Sequence, residues 1–162
     1  MGSALSSQGN SVTSSRQVLG DTSGTAVPSG SIGQVVELTQ SSPTSVPGAT
    51  TQYGNILTIS SANVPQGNWL LSGVVHVYAN GATGTIQYAS VSDYSGNTTT
   101  DHVLPTQTQF EPTQYTLANG GSFVFANCVV NVTNSSNKYI KIRVDYSGAT
   151  PQYRYGFRLV RI

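Results

Sequence analysis

From Tyr153 to Ile162 the chain alternates strictly: Tyr153, Tyr155, Phe157 and Leu159 fall on one side, Arg154 and Arg158 on the other. Side chains of a β-strand point to opposite faces in turn, so this pattern predicts a strand with one face in a core, running to the last residue. The same alternation appears in Lys138–Tyr146, where Ile140, Ile142, Val144 and Tyr146 interleave with Lys141, Arg143 and Asp145. Asn68–Ala79 is more apolar, and Trp69, Leu71, Val75 and Val77 share its core face. Further strands are predicted from about Ser31 (Ile32, Val35, Val36, Leu38), over Asn55–Ile59, Thr85–Val91 and Ser122–Val132. In Ser122–Val132 the shared face is read as Val124, Ala126, Cys128, Val130 and Val132. Gln109–Leu117 reads as an edge strand, because Pro112 has no N–H to give a central ladder. Turn signals separate these runs: Pro28-Ser29-Gly30, a loop with Pro43, Pro47 and Gly48, Pro65-Gln66-Gly67, Asn80-Gly81, Asn119-Gly120-Gly121, Asn134–Asn137, and Gly148 with Pro151. About eight short strands with no helical apolar period predict an all-β fold, an antiparallel β-sandwich of jelly-roll-like form over residues 31–162.

Residues 1–30 differ. They are rich in Ser, Gly, Gln and Asn, and Leu5, Val12, Val18, Leu19 and Val27 recur at no regular period. Such a segment buries too little surface alone to offset its ordering entropy. It is read as an extended N-terminal arm held by other subunits or a larger assembly, with Leu5, Val12, Val18 and Leu19 as candidate anchors. Only 8% of the 162 residues are charged, against about 25% in typical domains. Hydroxyl and amide side chains do the polar work, as in extracellular-type β proteins, and little charge opposes association. The net charge of +1 is uneven: Lys138 onward carries six bases against Asp145, a balance of +5, and the preceding chain carries −4. The simplest reading is a solvated cationic face on the last two strands, the sharper one a charge match between subunits. A sequence pI near 7.9 argues against nucleic-acid binding, which calls for a domain pI above about 9.

Candidate chemistry is sparse. Cys128 is the one cysteine, so no intramolecular disulfide forms, and it reads as a buried, inert thiol. His76 lies mid-strand and reads as a surface or intersubunit side chain. Asp101-His102, even with Glu111, offers fewer ligands than the three or four a zinc site takes. No Gly-x-Ser-x-Gly elbow, clustered carboxylate pair or phosphate-cradling loop is present, so no catalytic residue, cofactor or metal is assigned. Three Asn-x-Ser/Thr sequons, at Asn97, Asn131 and Asn134, reflect abundant Asn, Ser and Thr. The first residues lack a basic, then apolar, secretion signal. No apolar run nears the ~18 residues of a membrane-spanning helix, and no membrane insertion is expected. Tyr53, Tyr88, Tyr94 and Tyr115 are expected to be exposed, either packing across strands or stacking on sugar rings.

Three stretches carry a family resemblance. Gly24–Glu37 (GTAVPSGSIGQVVE) resembles the leading segment of small β-domains on tailed-bacteriophage virion proteins. Ile56-Leu57-Thr58-Ile59 followed by Gly67-Asn68-Trp69-Leu70-Leu71-Ser72-Gly73 resembles the core hairpin of that group, and the last strand, ending Leu159-Val160-Arg161-Ile162, resembles its terminus. The similarity spans residues 24–162 and its motifs are structural, with no catalytic residue among them. It implies a non-enzymatic virion surface protein, a homotrimer on the exterior of head or tail. Unlike a fibre, this chain shows no repetitive shaft or long anchor domain, only the short arm. The expectation is therefore a capsid decoration protein or short head fibre docked on other virion proteins through its arm. The alternative is the C-terminal head of a tail fibre, binding a host receptor or glycan through Tyr88, Tyr94 and His102 in and beside the Ser92–Gln107 loop.

Overall fold

The structure, a computed structural model, describes residues 31–97 and 115–162. These form eight strands: β1 (Val35–Ser45), β2 (Tyr53–Ile59), β3 (Gly67–Tyr78), β4 (Ala82–Ser92), the two-residue β5 (Tyr115–Thr116), β6 (Gly121–Val132), β7 (Lys138–Gly148) and β8 (Gln152–Arg161). A 3-10 turn, Leu117–Asn119, lies between β5 and β6. One sheet has the order β1-β8-β3-β6 and the other β2-β7-β4-β5, and every pairing among the described strands is antiparallel. Apart from β4 and β5, successive strands change sheet. That order is the eight-stranded double Greek key of a jelly roll, so the expected all-β sandwich is the observed fold. The arm, with Leu5, Val12, Val18 and Leu19, lies outside the described residues, as do Asp101, His102, Glu111 and most of the expected Gln109–Leu117 strand. Its last residues survive as the edge strand β5.

The inner faces of the two sheets bury one core. Trp69, Leu71, Val75 and Val77 of β3 are fully or almost fully buried, on the face the alternation assigned to them. Trp69 keeps its indole N–H satisfied by donating to the Pro65 carbonyl at 2.9 Å. Phe125 and Phe157 meet edge to face, with ring centroids 5.3 Å apart. From β8, Tyr153, Phe157 and Leu159 are buried, while Arg154 and Arg158 stay exposed.

The first strand begins later and runs further than its sequence suggests. Ser31–Gly33 form a turn, and β1 continues through Pro43 to Ser45. β1 is an edge, and its register with β8 slips between Gln40 and Thr44, so Pro43 need not donate to a ladder.

Three expectations are corrected. In β6 the core face is Phe123, Phe125, Cys128, Val130 and Val132, whereas Val124 is 64% exposed and Ala126 is exposed. The cause is a bulge. Leu71 pairs with Cys128 but Gly73 pairs with Phe125, so β6 carries one extra residue, and Asn127 takes a φ of 54°. One inserted residue reverses the side to which every earlier side chain points. Tyr53, expected to be exposed, is buried. Lys141, expected on a solvated cationic face, is fully buried.

Candidate functional site

The two outer faces of the sandwich differ in character. On the outer side of the β2-β7-β4 sheet, register places Tyr53, Arg143 and Tyr88 in one row and Asn55, Lys141 and Ser90 in the next. Arg143 forms an ion pair with Asp145, Nε to Oδ1 at 3.1 Å, and its guanidinium lies 5.8 Å from the Tyr53 ring centre. The hydrogen bond to Asp145, ahead of any other cause, raises the Arg143 pKa. Tyr53 and Tyr88 stack, with centroids 6.2 Å apart, so both are absorbed in cross-strand packing.

Asn55, Lys141 and Ser90 form a polar layer under the segment 93–97. The Lys141 ammonium donates to the Gly96 carbonyl and sits 5.3 Å from the Tyr94 ring centre, while the Asn55 amide donates to the Ser95 carbonyl. Ser90 Oγ and Asn55 Oδ1 are buried and have no hydrogen-bond partner among the described residues. A lysine long enough to cross the layer ties the segment to β7 through its charge, and the layer serves as a strap for the sequence after β4. Tyr94, on top of it, remains 47% exposed. Of the candidate receptor contacts, Tyr94 is thus presented to solvent, Tyr88 is half-buried against Tyr53, and His102 lies outside the described residues.

Among the described residues nothing covers the outer side of the β1-β8-β3-β6 sheet, and cross-strand register orders it into rows. Val35, Val160, Leu70 and Val129 form an apolar row across all four strands. The next row is polar, with Glu37 opposite Arg158 and Arg158 opposite Ser72. Thr39, Gly156, Val74 and Val124 form a third row, and beyond it Arg154 pairs with His76 and His76 with Ser122. His76 Nδ1 lies 2.6 Å from Ser122 Oγ, and Arg154 covers the Tyr78 ring at 5.4 Å, in keeping with a surface histidine. Gly156 leaves the middle of the face hollow: a depression of about 360 Å³ is floored by Gly73 and Gly156 and walled by Glu37, Thr39, Ser72 and Arg158. Among the described residues six large hydrophobic side chains stay exposed, and Val35, Val124 and Val129 of these belong to this face. No local signal marks it, because its rows exist only once non-adjacent strands are paired.

Cys128 is buried as expected, and burial pushes its thiol pKa up, away from the reactive thiolate. Among the described residues no group of three or more His, Cys, Asp or Glu is placed to hold a metal, and no helix is long and apolar enough to cross a membrane. No family model, curated protein or solved structure matches the chain.

Proposed function

We propose that the protein is a non-enzymatic structural component on the exterior of a tailed-phage particle, a capsid decoration protein or short head fibre docked through residues 1–30. The observation that carries this reading is the strand order β1-β8-β3-β6 with β2-β7-β4-β5. That double-sheet jelly roll recurs in viral capsid and lectin domains, and the warrant is one of architecture. The low charge, the hydroxyl- and amide-rich surface and the resemblance over residues 24–162 support it further. An antibody against the chain should label the outside of intact particles made from the genome that encodes it. Deleting residues 1–25 should abolish incorporation while leaving a folded sandwich. Purified particles that lack the chain would rule the reading out.

A fibre head that binds a host glycan is the second reading, and the exposure of Tyr94 beside the Lys141 ammonium favours it. An exposed ring next to a cation suits stacking on a sugar. Binding of the isolated protein to host cells, lost in Tyr94→Ala, would select it over the decoration role.

A further inference from the structure

We propose that the hollow on the outer side of the β1-β8-β3-β6 sheet is a binding site for one neutral sugar ring, a single hexopyranose unit. It lies on the other sheet from the one that Tyr94 covers, so it is distinct from the glycan contact considered above. The inference stands on the geometry of the hollow and is independent of the virion reading.

The shape comes from a missing side chain. Gly156 stands on β8 between Thr39 of β1 and Val74 of β3, and a Cβ built there meets nothing within 4 Å. β1 and β3 are two strand spacings apart, about 9–10 Å. The gap over Gly156 is therefore a trough as wide as a six-membered ring with its substituents. Its volume of about 360 Å³ lies near the lower end for small-ligand sites, about 300–1,000 Å³. Gly73, Gly156 and Phe157 give it an uncharged floor, on which the C–H face of a ring can rest.

The rim supplies the polar groups. Glu37 and Arg158 are directly opposed on β1 and β8, with Ser72 next in the same row and Thr39 in the row beside it. No ion pair joins Glu37 to Arg158; the ion pair found among the described residues is that of Arg143 with Asp145. Arg143, Arg154 and Arg161 each lie over an aromatic ring, and Arg158, alone of the four described arginines, lies over none. The Arg158 N–H donors and the Glu37 carboxylate therefore remain for a ligand. Ser72 Oγ accepts from the Asn127 N–H at 3.4 Å, which leaves its own hydrogen to donate. The charges of Glu37 and Arg158 cancel, so the site has no net pull on an anion or a cation. It calls for a neutral molecule that donates to a carboxylate and accepts from a guanidinium at neighbouring atoms. Adjacent hydroxyls of a sugar ring do both.

The test is an NMR titration of the full, isotope-labelled chain with the methyl glycosides of glucose, galactose, mannose, rhamnose and N-acetylglucosamine. At least one should move the amide signals of Gly73, Gly156 and Arg158 saturably, with a Kd of about 1–10 mM, the range for one ring in an open site. Gly156→Leu fills the trough without touching the fold, because space is open there and glycine is a poor strand residue. It should unfold at the same temperature as the parent or higher, yet weaken binding about ten-fold or more. Glu37→Gln and Arg158→Gln should each weaken it as well, and Tyr94→Ala should leave it unchanged. No saturable shift with any of these glycosides at about 100 mM would overturn the proposal. So would binding that Gly156→Leu leaves intact. Shifts at the rim with inorganic phosphate or free glycine, and none with the glycosides, would overturn it by showing a site for a charged ligand. Shifts confined to Tyr94 and its neighbours would overturn it too, and would favour the fibre-head reading. The particle-labelling experiment is decided separately, so the decoration role stands or falls without this site.

Discussion

Two tyrosines and one lysine show how single side chains here depend on what covers them. Tyr153 is buried, its hydroxyl donating to the Ile56 carbonyl at 3.4 Å, and burial raises its pKa, as it does that of Tyr155. An acid whose folded pKa lies above its unfolded value of 10.0 holds its proton more tightly when folded. The stabilisation is therefore complete below pH 10 and is lost as the pH rises through the folded value. The urea midpoint should accordingly fall steeply above pH 10, and the double variant Tyr153→Phe with Tyr155→Phe should flatten that fall. Lys141→Ala removes a fully buried stem and the donor to the Gly96 carbonyl. A loss of about 3 kcal/mol is expected, read by chemical denaturation, from the void and the stranded acceptor together. Trp69→Ala should cost more, about 4 kcal/mol, since the ring lies at the centre of the core.

The elements differ in how far their sequences disclosed them, and the pleat decides which. β3 and β8 run without an inserted residue of their own, so simple alternation named their core residues, Trp69 to Val77 and Tyr153 to Leu159. In β6 the pleat is broken at Asn127, and alternation followed across the break assigned Val124 and Ala126 to the core in place of Phe123 and Phe125. Nothing local distinguishes a bulge there, because the partner strand fixes it from more than fifty residues away. The bulge can be tested directly. Deleting Asn127 should destabilise by at least about 3 kcal/mol, the order expected for expelling one buried phenylalanine. Asn127→Val should cost about 1 kcal/mol, since a β-branched residue resists a positive φ that Asn tolerates. Pro43 offers the complementary lesson: it reads as a loop residue, yet an edge strand with a register slip admits it.

For the whole molecule, the fold class and even the jelly-roll form were legible, because strand count, turn spacing and the missing helical period are properties of the chain itself. The candidate surfaces were not. Tyr53 and Lys141 vanish under neighbours that only the tertiary structure supplies, and the rows on the open face join four strands drawn from the start, middle and end of the sequence. Function was legible only as a resemblance, which the particle-labelling and arm-deletion experiments address at the scale of the assembly.

The place of β8 between β1 and β3 has a consequence for biosynthesis. On the ribosome, β1 and β3 emerge first and have no partner in common until Gln152–Arg161 clears the exit tunnel. Until then β1 has no partner in its sheet and apolar β3 keeps one open edge, a hazard that grows with slow translation. A nascent chain halted before residue 152 lacks the keystone of half the sandwich, and should be found with chaperones or in aggregates.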